Sequence, residues 1–145
     1  VDIIKADIKY FDSVYSLICE LENELVNKET LLQVFIKNIA NSDIFYYLAI
    51  DDGEIVGFAS VHLQYLLHHM GKIAELQELV VSKDKQGHGI GSFLFEKVIE
   101  MAMENECLLL EVCCNQVRGL SHKFYIKQGM KNSHYKFTLP LPCTK

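Results

Sequence analysis

The chain has 145 residues, half of them hydrophobic, and carries 14 lysines and arginines against 19 aspartates and glutamates, a formal net charge of −5. That length suits a single domain over residues 1–145, which buries about 70% of its unfolded surface and needs no disulfide scaffold. A negative balance without a basic block argues against nucleic acid as a principal partner, because neutralising phosphates takes clustered Lys and Arg. Five cysteines, with Cys113 and Cys114 adjacent and none at metal-ligand spacing, read as reduced thiols. Apolar runs are broken by charge before membrane-spanning length and the amino terminus shows no export pattern, so the expectation is a cytoplasmic chain without a membrane segment.

In chain order, Ile3 to Lys5 reads as a short first strand. Asp12 is placed to cap a helix from Ser13 to about Asn27, with Val14, Leu17, Ile18, Leu21 and Leu25 on one face. A second helix follows over about Thr30 to Asn41. Phe45 to Ile50, the turn Asp51-Asp52-Gly53 and Glu54 to Leu63 predict a hairpin, since Asp-Gly supplies the positive φ a tight turn needs. Ile73 to Val81 is the next strand. Beyond it a glycine-spaced loop opens a helix over Ile90 to Asn105, with Phe93, Leu94, Val98, Ile99, Met101 and Ala102 at helical spacing. A strand over Leu108 to Cys114, a helix over about Ser121 to Lys127 and a closing strand over Asn132 to Leu139 complete the pattern, an α/β (α+β) chain without repeats or linkers.

The loop itself, Gln86-Gly87-His88-Gly89-Ile90-Gly91-Ser92, has the composition of an anion cradle. Glycines let the backbone approach a ligand, and unpaired N–H groups of the helix's first turn point at it. A flexible strand-to-helix connection is the plain alternative for an isolated loop of this kind. The dinucleotide fingerprint does not fit, because its glycines sit in an early βα turn followed by an acidic residue. A Walker A loop lacks its Gly-Lys-Ser/Thr here. The spacing of Gln86, Gly89 and Gly91, together with the downstream Phe124-Tyr125-Ile126-Lys127-Gln128-Gly129-Met130, resembles the acetyl-CoA-dependent N-acetyltransferases of the GNAT superfamily.

That resemblance implies a GNAT fold, a central, mixed, mostly antiparallel sheet with two splayed strands flanked by helices, and acetyl-CoA as cosubstrate in the cleft between them. By the same resemblance, the pantetheine pairs with main-chain groups of Leu79 and Val81, and the pyrophosphate rests on the N–H groups of Gln86 through Ser92. A backbone N–H near Leu79 or Val80 faces the developing oxyanion, Asn115 touches the cofactor, and Tyr125 is the acid for the departing thiolate. Each has a plainer reading beside it: sheet packing for the strand residues, a turn role for Asn115, a packed helix aromatic for Tyr125. An amine must lose its proton before attack, and Glu78 and then Glu75 are the candidate bases. Being three residues apart, they face opposite sides of a regular strand unless a bulge intervenes.

A narrower resemblance, to the aminoalkylphosphonate N-acetyltransferases, rests on Val14 to Glu22, His62 to Ser82 and Ser121 to Thr138. It implies a small primary amine bearing a phosphonate as acceptor and associates a divalent metal with the activity. A phosphonate in a chain of net −5 needs a local cation or metal, and His62, His68, His69, His134, Lys72, Arg118 and Lys136 are available. Acceptor contacts are expected from Tyr15, Glu20, His62, His69 and His134. His68, His69 and His134 are metal candidates against the plainer reading of polar or hydrogen-bonded histidines. Other acceptors (a polyamine, an aminoglycoside, a protein amino group) and a non-catalytic acyl-CoA-binding module remain as alternatives. Edge strands and an apolar carboxyl-terminal strand are compatible with a homodimer.

Overall fold

The computed structural model describes residues 1–142 and divides the chain into two compact units, Val1–Val112 and a second beginning at Cys113. The first contains a five-stranded sheet in the order β1-β2-β3-β4-β5, with β1 Asp2–Lys5, β2 Ile44–Asp51, β3 Glu54–Leu66, β4 Gly71–Val81 and β5 Leu109–Val112. Strands β1 to β4 are antiparallel neighbours, whereas β5 runs parallel to β4 and is reached through α3, Ile90–Glu104. Helices α1, Phe11–Glu22, and α2, Lys28–Ile39, connect β1 to β2.

The two faces of the sheet follow from the alternation of β3. Phe58 joins Phe11, Val14, Leu17, Phe35, Leu48 and Val80 in a cluster that binds α1 and α2 to one face. Gly57, the neighbour on the opposite face, has Leu94 of α3 so close that a Cβ there would lie 2.9 Å from its Cδ1. From Gly57 to His62 the even-numbered residues of β3 therefore look towards α1 and α2, and the odd-numbered ones towards α3.

Local chemistry sets the element ends. The β2–β3 hairpin turns on Asp52 and Gly53 at φ 51° and 77°, as the Asp-Gly pair predicts. Helix α1 ends at Glu22, five residues before the predicted Asn27, because Asn23 adopts a left-handed conformation and donates its N–H to the Cys19 and Glu20 carbonyls. Leu25, expected on the apolar face, is left exposed. Asp12 does not cap α1: it lies inside the helix and pairs with Lys28 at 3.0 Å, while Asn27 caps α2 by accepting from the Thr30 N–H at 2.9 Å. Strands β3 and β4 run further than expected, to a 3-10 turn over Leu67–His69 that closes on Met70 at φ 55°.

The second unit holds α4, Gly119–Lys127. The closing strand expected over Asn132 to Leu139 is not formed, although Tyr135, Phe137 and Leu139 alternate as a strand would. A strand exists only by pairing, and none of the described residues supplies a ladder for this segment, whose side chains stay exposed. No helix among the described residues is long and apolar enough to cross a membrane.

Candidate active site

Strand β4 is eleven residues long and β5 only four. Their parallel pairing runs from Ile73↔Leu109 to Leu76↔Val112 and stops, while β4 continues to Val81 with β3 alone beside it. The Ser82 N–H donates to the Val56 carbonyl at 2.8 Å. Because residues of an antiparallel strand turn both backbone groups alternately to one side and the other, Val80 also faces β3, and Leu79 and Val81 present theirs to the side β5 has left. Of the two N–H groups considered for an oxyanion, Leu79 is thus oriented outward and Val80 is committed to the ladder with Phe58.

A bulge sits at the same point. Ser60 opposes Glu78 and the adjacent Val61 opposes Leu76, so Gln77 is the extra residue. Its effect is to reverse the facing expected for two carboxylates three positions apart. Glu75 opposes His62 and Glu78 opposes Ser60; directly opposed side chains share a face, so both glutamates lie on the α1/α2 face with His62. Glu75 accepts from the Gln64 side-chain amide at 3.2 Å. Glu78 is held twice by Ser60, whose hydroxyl donates to Oε1 at 2.5 Å and accepts from the Glu78 N–H at 3.0 Å.

Beneath α1 and α2 this face opens into a cavity of about 300 Å3 whose polar wall is Asn38, Tyr46, His62, Gln77 and Glu78, with Glu22 from α1 and an apolar remainder including Val14, Phe35 and Phe58. The Tyr46 hydroxyl accepts from the Asn38 amide at 2.7 Å. Burial pushes the Tyr46 phenol above its ordinary range, the Asn38 hydrogen bond opposes that, and the negative charge of Glu78 adds to it. The cavity thus places a carboxylate, a phenol and an imidazole around one volume. Ser60, Tyr46 and Asn38 carried no sequence signal: each is an ordinary strand or helix residue until the fold brings Tyr46 and Asn38 to this wall and Ser60 behind Glu78.

At the end of β4 the chain makes a short 3-10 turn, Lys83–Lys85, and enters the glycine loop. Gln86 folds back so that its side-chain amide donates to the Val81 carbonyl at 3.0 Å, bracing the loop against the open edge of β4. Gly89 is the N-cap of α3 at φ 82° and offers no side chain to cap it, so the N–H groups of Ile90 and Gly91 open the helix on an exposed loop. The His88 ring lies 3.2 Å from the Lys85 carbonyl.

The remaining expected residues are dispersed. Tyr15 donates its hydroxyl to the Val26 carbonyl at 3.0 Å, and neither it nor Glu20 contributes to the cavity wall. The His68 and His69 rings lie with centroids 4.2 Å apart and tilted by 41° at the β3–β4 turn, where His69 Nε2 is 3.7 Å from Glu111. Among the described residues no three His, Cys, Asp or Glu side chains converge as a metal site, so the donor set does not fit a protein-held divalent ion. In the second unit, Asn115 accepts from the Val117 N–H at 3.1 Å and shapes a turn. His134 is exposed beside Ser133. Tyr125, on α4, has its phenol pushed up to about 12, first by burial and then by Cys114, against the opposing charge of Arg118.

The acetyltransferase (GNAT) family model matches residues 11–130. An aminoalkylphosphonate N-acetyltransferase of Salmonella typhimurium is 40% identical over 130 residues, covering 90% of this chain and 84% of that protein. Among solved structures, a protein described as a transcriptional regulator from Bacillus halodurans superposes with a TM-score of 0.90 at 23% identity over 97% of this chain and 99% of that one. An aminoglycoside 6'-N-acetyltransferase from Acinetobacter haemolyticus gives 0.84 at 13% identity over 99% of both.

The loop geometry makes a direct prediction. A Cβ at Gly89 meets nothing within 4 Å, so Gly89→Ala carries only the cost of a left-handed conformation, about 1–2 kcal/mol. Chemical denaturation is expected to show that loss without a change in the denaturant slope.

Proposed function

The chain belongs to the GNAT acetyltransferase family and is an acetyl-CoA-dependent N-acetyltransferase, and from that premise we propose that it acetylates the primary amine of a small acceptor bound against Glu78, with an aminoalkylphosphonate as the leading candidate. The observation that carries the site is the Ser60-bound carboxylate of Glu78 standing in the cavity wall next to the outward-turned backbone of β4. The acceptor class is supported by the 40% identical relative.

In this reading the acceptor's ammonium gives a proton to Glu78, directly or through a water, and the neutral nitrogen attacks the thioester carbonyl. The oxyanion is met by the Leu79 N–H, the pantetheine lies along Leu79 and Val81, and the pyrophosphate rests on the loop from Gln86 to Ser92. Collapse of the tetrahedral intermediate breaks the carbon–sulfur bond, Tyr125 donates its proton to the thiolate, and the proton that the attacking nitrogen sheds as the amide forms restores the phenol, directly or through water. A phenol at about 12 is a weaker acid than the thiol it forms, of pKa about 8.5, so its contribution comes from position rather than acid strength. Glu75, tied to Gln64, is the secondary candidate for the base. His62 is the acceptor-site imidazole, and no metal-dependent step is assigned.

One observation favours a second acceptor class. The charged groups of the cavity wall are Glu22 and Glu78, with His62 charged only when protonated and no lysine or arginine among them. Such a wall suits a polyamine better than a dianion. CoA thiol release with 2-aminoethylphosphonate and aminomethylphosphonate against spermidine and an aminoglycoside, each with EDTA and then with added divalent metal, separates the two. Preferential turnover of the phosphonates is expected; turnover of spermidine alone would overturn the phosphonate reading and leave the enzyme class intact. Amine-independent binding of acetyl-CoA with no thiol release would indicate a binding module.

Two variants test the assigned roles. Glu78→Gln is expected to lower kcat/KM for the amine by roughly 100- to 10,000-fold at pH 7 while KM for acetyl-CoA holds. Tyr125→Phe is expected to lower kcat by about 10- to 100-fold. Since a raised pKa keeps the O–H in place until the pH nears about 12, that deficit stays constant between pH 7 and 10. A deficit that vanishes as pH rises through this range would count against Tyr125 as the donor.

A further inference from the structure

We propose that Ser60 is the positioning residue for the base: its hydroxyl fixes the Glu78 carboxylate at the cavity wall, a role made possible by the bulge at Gln77. The proposal rests on Glu78 acting as base and goes beyond it by assigning what orients that group.

Ser60 is the one polar residue in the fully buried core among the described residues, with 0% of its surface exposed. A lone hydroxyl in such a place needs partners for both its donor and its acceptor capacity. Both are taken by the same residue, Glu78: the O–H by Oε1 and the oxygen by the main-chain N–H. At an undistorted ladder position the Glu78 N–H would bond a β3 carbonyl. The register shift falls between Ser60 and Val61, and there the serine hydroxyl accepts from the Glu78 N–H. One side chain therefore bonds both the main chain of Glu78 at the bulge and the carboxylate that the bulge has turned to the α1/α2 face. The two-point hold fixes both the stem and the head of Glu78, leaving its second oxygen for the ammonium proton. Alanine at this position would fit the space but would supply neither bond.

Other titratable groups face the same volume and frame the test. They are Tyr46 from β2, His62 from β3 and Glu22 from α1; α2 contributes the neutral Asn38, and Glu75 of β4 lies on the same face of the sheet opposite His62. None of them bonds both ends of Glu78 as Ser60 does.

The test compares Ser60→Ala, Ser60→Thr and Glu78→Gln with the unaltered chain, with kcat and KM measured from pH 6.5 to 9.5. The acceptor is 2-aminoethylphosphonate, or spermidine if that is the amine turned over. A base is needed only while the amine is protonated, and primary amines lose their proton near pH 10. Ser60→Ala is therefore expected to lose about 30-fold in kcat at pH 7 and only a few-fold at pH 9.5, with KM for acetyl-CoA within twofold. Ser60→Thr, which keeps the hydroxyl, is expected to recover most of the loss. A Ser60→Ala deficit equal at every pH would mark a structural role and overturn the proposal, as would an unchanged kcat at pH 7. If Ser60→Ala fails to fold, Ser60→Cys, with its weaker donor and acceptor, substitutes in the same comparison and is expected to show a smaller deficit with the same pH trend. Full activity in Glu78→Gln would overturn the base assignment itself. A deficit in Glu78→Gln beside a normal Ser60→Ala would overturn the positioning role alone.

Discussion

The unequal lengths of two neighbouring strands shape the candidate site. β5 accompanies β4 for four residues and then ends, so five further residues of β4 carry backbone groups with a sheet on one side only. Sheet hydrogen bonding is otherwise obligatory, since an unpaired peptide group costs free energy when removed from water. An open edge at this point is a place for an extended ligand to supply the missing ladder. The glycine loop begins at the end of that edge, and Gln86 ties it there through the Val81 carbonyl. In the proposed binding mode, extended backbone for an elongated thioester arm and helix-terminal N–H groups for its anionic end therefore share one continuous stretch of chain.

The bulge at Gln77 is the second half of the same arrangement. Without it, Glu78 would fall on the α3 face, among Leu94, Phe95 and Val98, where a carboxylate would lose its hydration with no partner. With it, the carboxylate turns to the face where α1 and α2 leave a cavity and where Ser60 can bond it. The parity of the strand changes between Leu76 and Glu78, so β4 serves two ends: apolar alternation that packs the sheet, and a polar group delivered to the cavity.

Much of the fold was legible because it rests on short-range signals. The Asp-Gly turn, the glycine loop feeding an amphipathic helix and the order of the strands up to β5 all correspond to observed elements. Those signals failed where a longer-range condition decided. Asn23 ended α1 early because a left-handed asparagine satisfies the last carbonyls as well as a further turn would. Alternation over Tyr135 to Leu139 was not enough to form a strand, because pairing partners are a property of the whole sheet. Among the candidate site residues, the loop and Glu78 were proposed from motif and position, but the shared face of Glu75, Glu78 and His62 depends on one unpaired residue that leaves no mark in composition. Ser60 was invisible for the same reason. A serine in an apolar strand reads as a weak packing residue until its opposite number is known to be a glutamate.

The charge of the cavity constrains any acceptor that binds there as proposed. Glu78 and Glu22 make the wall attractive to the ammonium end of a substrate, and the low-dielectric surroundings of Phe35, Phe58 and Val14 strengthen that attraction. The same wall repels a dianion. A phosphonate on the same molecule must therefore point away from Glu78, with His62 the available imidazole on that face and the remainder of its charge left to solvent or an ion it carries with it. A short linker between amine and acid sharpens this conflict, because the two ends cannot reach separate environments; each added methylene relaxes it. In the proposed site, acceptor length is thus coupled to the placement of one carboxylate, and that coupling would distinguish a cavity built around a base from one built around an anion.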